Sequence, residues 1–168
     1  MNKNVCFVIP SSATIAYQSL AATYSAIEMP TWAALLAQAI RQDRHNPVIL
    51  DFDACPATDE EASEQIADTK PYLVVFVLYG QSPNSGTTMM IGASRLANQL
   101  KLSHPNLKVA FIGSHSSSLP QEVIQYSYVD FVFINEGVHA LLSLLKTNLL
   151  DELEKTHGKI SARLFICT

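Results

Sequence analysis

The sequence predicts a doubly wound α/β fold, a parallel sheet between two layers of helices. Three observations carry this. Five short apolar runs recur along the 168 residues, and each is continuous rather than alternating. Continuous runs need burial on both faces, as parallel strands covered by helices have. Segments with apolar residues at helical spacing lie between the runs. Small and polar residues gather at one end of the runs and ordinary turn residues at the other.

The first run is "VCFVI" (5–9). About twenty residues, Pro10 to Pro30, precede the first convincing helix, a length at which loops are uncommon and often functional. "SLAATYSAI" within it is expected to form a helical turn or a short helix. In "TWAALLAQAIRQDRH", Trp32, Leu35, Leu36, Ala39 and Ile40 make one apolar stripe, with Trp32 as a core residue. "HNP" (45–47) ends that helix by proline rules and leads to "VILDF" (48–52). Residues 59–68 are a shorter helix candidate before "LVVFVL" (73–78). The stretch from Gly80 to Thr87 has no aliphatic side chain and is expected to be a loop. Met89, Ala93, Leu96, Ala97 and Leu100 then give a second stripe, ended by "SHP" (103–105). "VAFI" (109–112), a weak helix at 120–127, "DFVFI" (130–134) and a clear helix at 138–150 complete the alternation. The expectation is a sheet of at least five strands, Rossmann-like in layering and flavodoxin-like in order, 2-1-3-4-5. Residues 1–150 form the domain. Residues 151–168 read as a tail or the start of a connection, in which "ISARLFICT" is a possible sixth strand.

Bulk properties exclude several classes. A net charge of −4 with no Lys/Arg cluster argues against nucleic acid as partner. No apolar run approaches the roughly 20 residues that span a bilayer, so no membrane role is expected. The start faintly imitates a signal peptide, but Val5 to Ile9 is too short for its apolar region. Three distant cysteines, Cys6, Cys55 and Cys167, share no metal or redox spacing and fit a reduced, cytoplasmic protein.

In a doubly wound sheet, ligands sit beyond the carboxyl ends of the strands. Those ends carry Pro10, Ser11 and Ser12; Asp53 and Ala54; Tyr79, Gly80, Gln81, Ser82 and Ser85; Gly113, Ser114, His115 and Ser116; and Asn135, Glu136 and Gly137. Glycine or serine at a strand end lets a ligand approach the backbone, although polar strand–helix loops are also ordinary. Nucleotide signatures are missing: there is no GxGxxG after the first strand and no GxxxxGK[ST]. The first strand ends in Pro-Ser-Ser, without the paired carboxylates of a phosphoacceptor domain. No GxSxG elbow supports a hydrolase.

Five stretches carry a resemblance: "EMPTWAALLAQAIRQ" (28–42), "VILDFDA" (48–54), "VVFVLYGQSPNSGT" (74–87), "AFIGSHSSSLPQEV" (110–123) and "DFVFINEGVHALLSLL" (130–145). In order and spacing they resemble the N-terminal cobalamin (vitamin B12)-binding domain of cobalamin-dependent radical S-adenosylmethionine enzymes. The family commonly has two glycines where this chain has Gly113-Ser114, and Gly-Glu-Gly where it has Asn135-Glu136-Gly137. The resemblance implies a cobalamin-binding module of methyltransferase type, its cofactor contacts drawn from Ser11, Ser12, Tyr79 to Ser82, Ser85, Gly113 to Ser116, Glu136 and Gly137. It implies a corrin across the strand ends and a tail alongside the sheet, flanked by 80–87 and 113–117.

The iron–sulfur cluster of such enzymes needs CxxxCxxC, which is absent. The cluster and S-adenosylmethionine would therefore belong to a further C-terminal domain in cis, with no catalysis expected from these residues alone; a stand-alone carrier is the other option. Cobalamin-dependent mutases and methionine-synthase-like carriers resemble one another in a DxHxxG motif that supplies histidine to cobalt. Residues 10–30 contain neither histidine nor aspartate, so base-off cobalamin without a protein histidine on cobalt is expected. His115 is read as a hydrogen-bonding residue, and Glu136 as a dipole partner at the start of the last helix. The competing reading is a flavodoxin-like binding or regulatory domain acting through a nucleotide or a protein partner.

Overall fold

The computed structural model describes residues 2–11, 20, 27–80, 85–147 and 163–165. Along the chain these form β1 (Asn4–Ile9), α1 (Thr31–Gln42), β2 (Asn46–Asp51), α2 (Asp59–Asp68), β3 (Leu73–Leu78) and α3 (Ser85–Ser103). There follow β4 (Val109–Gly113), α4 (Ser114–Ser118), α5 (Pro120–Val123), β5 (Phe131–Phe133), α6 (Val138–Lys146) and β6 (Arg163–Phe165). All pairings are parallel, in the order β2-β1-β3-β4-β5-β6. The expected order of the first five strands holds, and part of "ISARLFICT" does add a sixth.

The pattern of burial explains the sheet. Every residue of β3, β4 and β5 is buried, whereas the edge strand β2 is only half-buried beyond Asn46. Phe7, Phe76, Phe111, Phe131 and Phe133 are among the largest fully buried side chains, each contributing about 1.5–3 kcal/mol on burial. Phe76 and Phe111 face each other in register, ring centroids 5.2 Å apart. The crossovers split the helices between faces: α1 packs beside α6, and α2 beside α3. The Lys146–Asp43 pair bridges the first two and the Arg95–Asp59 pair the second.

Local signals set most boundaries. Thr58 and Glu61 form a reciprocal capping box at the start of α2. Helix α3 begins at Ser85, so the polar stretch expected as loop through Thr87 is helical in its last part. Of the polar loop expected at 113–117, residues from Ser114 onward belong to the short helix α4. In α1 the buried residues are Ala33, Leu36, Ala37 and Ile40, while Leu35 is 56% exposed and Trp32 half-buried. The stripe is thus rotated from the one expected.

The amino-terminal edge of the sheet is closed by buried polar bonds. Lys3 Nζ donates to the carbonyls of Leu145 (2.7 Å) and Thr147 (3.0 Å) at the end of α6, and sits 4.2 Å from the centre of the Tyr72 ring. Asp130 Oδ2 accepts from Lys101 Nζ (2.6 Å) and from the Val109 backbone N–H (2.8 Å). The aspartate that leads into β5 therefore staples the amino ends of the strands. Among the described residues no helix is long and apolar enough to cross a membrane.

Candidate functional site

The topological switch point lies between β1 and β3, because β1 connects to one side of the sheet and β3 continues on the other. Here Ser11 follows β1 and Tyr79 and Gly80 follow β3. Ser12, Gln81 and Ser82 lie outside the described residues.

Glycines let α3 close onto these ends. A Cβ on Gly92 would lie 2.3 Å from the Ser11 carbonyl oxygen, and one on Gly86 would lie 2.1 Å from Ser114 Oγ. A Cβ on Gly80 would meet Ser85 Cβ at 2.3 Å, and one on Gly113 the Leu78 carbonyl oxygen at 2.4 Å. The expectation was that glycines at strand ends leave room for a ligand. The space beside Gly80 and Gly113 is instead filled by the protein's own atoms. Gly86 and Gly92 were not singled out in the sequence, although a helical glycine costs about 1 kcal/mol against alanine and so calls for a packing reason.

Helix α4 packs against β3, β4, β5 and α3 at the carboxyl ends. Ser114 is half-buried at its start, and His115 Nδ1 lies 3.2 Å from Thr87 Oγ1 in the first turn of α3. Ser116 is fully buried, and its Oγ has no hydrogen-bond partner among the described residues. Such a hydroxyl costs about 1–3 kcal/mol if left unsatisfied.

The remaining expected residues meet on the α1 side. The Tyr79 ring stacks on Trp32, centroids 4.7 Å apart. Its hydroxyl donates to the Asn135 carbonyl, and the Asn135 N–H donates to Ser117 Oγ at 2.9 Å. Burial raises the Tyr79 pKa; the Ser117 hydrogen bond opposes this and the Glu136 charge adds to it, so the phenol stays a proton donor at neutral pH. Asn135 and Gly137 both have left-handed backbone, with φ of 58° and 61°. Gly137 caps α6, and a Cβ there would strike Ile112 Cδ1 at 2.6 Å. Glu136 is exposed, one residue before that cap.

Among the described residues the rim is therefore rich in hydroxyls, with the imidazoles of His115 and His139 and the exposed carboxylate of Glu136. Among the described residues no cluster of three or more histidine, cysteine or carboxylate side chains could hold a metal. A groove of about 470 Å³ between α2 and α3 is lined by Glu60, Glu61, Glu64, Gln65, Gln99 and Ser103, on the helical layer and not at the strand ends.

A doubly wound parallel sheet puts this hydroxyl-bearing rim at its switch point, the place where such folds bind ligands. The chain belongs to the B12 binding domain family, whose model matches residues 17–145. Its fold is similar to that of the radical S-adenosylmethionine methyltransferase TsrM from Kitasatospora setae, solved with tryptophan substrate and a SAM analog. That similarity has a TM-score of 0.67 at 13% identity, over 90% of this chain and 26% of TsrM. The chain thus spans about a quarter of that protein's length. The isolated REC domain of RcsB from Salmonella enterica serovar Typhimurium is similar in fold, with TM-score 0.51, 12% identity, and 87% and 89% of the two chains covered. No curated protein matches the sequence.

Proposed function

We propose that this chain is the cobalamin-holding module of a methyltransferase-type radical S-adenosylmethionine enzyme, with residues 1–150 as the binding domain. The observation that carries the reading is the B12 binding domain match over residues 17–145. The residues at the strand ends fit the ligand chemically. A corrin with its amide side chains is bulky and hydrogen-bonds through neutral groups, as do the hydroxyls of Ser11, Ser85 and Ser114 and the imidazole of His115. Ser116 Oγ, which has no hydrogen-bond partner among the described residues, lies at the same end. The contacts proposed are Ser11, Ser12, Tyr79 to Ser82, Ser85, Gly113 to Ser116, Glu136 and Gly137.

When bound, cobalamin supplies a cobalt centre able to carry a methyl group. The chain's own part is to hold the ligand base-off, with no histidine from residues 10–30 to take the lower position. The iron–sulfur cluster and S-adenosylmethionine belong, in this reading, to a C-terminal domain of the parent enzyme, which the fold similarity to TsrM supports. A cytoplasmic location fits the three scattered cysteines of the sequence.

Reconstitution tests the reading. Protein incubated with hydroxocobalamin and desalted keeps a stoichiometric pink to orange chromophore. Colourless protein, with a flavin or nucleotide retained instead, sinks it in favour of a flavodoxin-like regulatory domain.

A further inference from the structure

The start of β1, the end of α1 and the end of α6 meet at one corner of the amino-terminal edge, and Lys3 ties them. Lys3 is buried just before β1. Its backbone carbonyl accepts the Asn46 N–H at the start of β2 (2.9 Å), and its own N–H donates to His45 Nδ1 beyond the end of α1 (3.2 Å). Its ammonium donates to the Leu145 and Thr147 carbonyls and to the Tyr72 hydroxyl (3.1 Å). The last carbonyls of a helix have no partner inside it, and a lysine ammonium there satisfies them and suits the helix dipole. The end of α6 is thus held by Lys3, and Lys3 is held by His45.

The imidazole is the link that a fall in pH removes. Nδ1 accepts a hydrogen bond only in the neutral ring; in the protonated ring both nitrogens donate, and Nδ1–H would then face the Lys3 N–H. Burial opposes a proton on this ring, as do the charges of Lys3, the N-terminus and Lys146; Asp43, whose Oδ2 lies 3.8 Å from Nε2, favours it. Asp43 also pairs with Lys146 of α6 at 3.5 Å, so the ring sits between the ends of α1 and α6. We propose that His45 is a pH-sensitive latch on the carboxyl end of α6: neutral, it holds Lys3 against the last carbonyls of the helix; protonated, it releases Lys3 and lets the last turn open where the chain continues past Thr147. The Tyr79–Asn135–Ser117 bonds lie at the opposite ends of the strands and are not part of the latch. The opened state takes up the proton near the ordinary value of 6.5, whereas the closed state resists it. Opening is therefore favoured as pH falls below that value, by up to about tenfold per pH unit.

Native-state amide hydrogen exchange of the full chain tests the latch, with rates corrected for the intrinsic pH dependence of exchange. The last turn of α6, residues 143–146, exchanges through a local opening, faster than β3 and β4 and insensitive to low denaturant. From pH 7.5 to pH 5.5 that opening becomes about tenfold more frequent. His45→Gln, whose side-chain oxygen accepts the Lys3 N–H but does not titrate, opens as seldom at pH 5.5 as at pH 7.5. Lys3→Met keeps the backbone bond to His45 and removes the ammonium; it opens more often than wild type at pH 7.5 and shows no pH step. An α6 end that exchanges only together with β3 and β4 in the wild type, or a pH step that survives either His45→Gln or Lys3→Met, overturns the proposal.

Discussion

The hydroxyl of Tyr79, just past the end of β3, donates to the backbone carbonyl of Asn135, just past the end of β5. Strand β4 lies between them, so this single bond spans it. Ser117, from the helix that follows β4, accepts from the Asn135 N–H. Three successive strand ends are thus tied by one phenol, one left-handed asparagine and one serine. Trp32 holds the Tyr79 ring from the α1 side. On this side of the rim the polar groups satisfy one another.

Tyr79→Phe keeps the ring and its stack on Trp32 but removes the donor to Asn135. Chemical denaturation should show a loss of about 1 kcal/mol. The 135–137 turn, with its two left-handed residues, should become more open to amide hydrogen exchange than in the wild type. An unchanged exchange pattern would mean that Gly137 and Ser117 hold the turn without the phenol.

Gly113→Ala tests packing against ligand access. A Cβ there lies 2.4 Å from the Leu78 carbonyl oxygen and 2.6 Å from Leu78 Cβ. Backbone cannot step aside as a flexible side chain can, so β3 and β4 must separate at their ends. The expected cost is about 3 kcal/mol, the upper range for overpacking, read as a fall in denaturation midpoint in the absence of any ligand. A variant as stable as wild type, with only corrinoid affinity lost, would restore the reading of Gly113 as an opening for the ligand.

His45 gives a pH dependence at the opposite edge. Its Nδ1 accepts the Lys3 backbone N–H at 3.2 Å, which requires the neutral ring. Burial lowers its pKa below the ordinary 6.5; Asp43 opposes this, and Lys3, the N-terminus and Lys146 add to it. A histidine with a lowered folded pKa takes up its proton more readily when unfolded, so its contribution is complete above about pH 6.5 and falls as pH drops toward the folded value. Wild type should lose melting temperature over that range, and His45→Gln should flatten the curve. Parallel curves for the two proteins would remove His45 from the account.

The strands were legible because continuous apolar runs have one physical explanation, burial on both faces, and the structure buries every residue of β3, β4 and β5. Helix α1 was misread by a rotation. Counting Leu35 as core follows from spacing alone, but Ala33 and Ala37 are small enough to let the helix sit closer to the sheet on a different line. The starts of α3 and α4 were hidden for another reason. Serine, glycine and threonine are poor helix formers that favour caps and turns, so the first turn of α3 and all of α4 read as loop. The Tyr79–Asn135 bond joins residues 56 apart, and no local pattern announces it. The family, in contrast, was readable from ordered motifs, and the match over residues 17–145 bears that out.

The last prediction concerns the metal. Residues 10–30 hold no histidine. His115 Nδ1 is within hydrogen-bond distance of Thr87, and His45 and His104 lie at the amino-terminal edge, His104 paired with Glu64 at 3.3 Å. Asp53 and Asp51, after β2, are bound into a local turn, Asp51 Oδ1 accepting the N–H groups of Asp53 and Ala54. His115 and His139 are the described histidines nearest the strand ends, and on the base-off reading proposed above neither takes the place of the cofactor's own base. Reconstituted protein reduced to the Co(II) state should give electron paramagnetic resonance lines without nitrogen splitting, because neither histidine nor tail base is on cobalt. Triplet splitting in the wild type would overturn the base-off assignment. If that splitting vanished in His115→Ala, the nitrogen would be that of His115; if it persisted there, it would be that of the tail base.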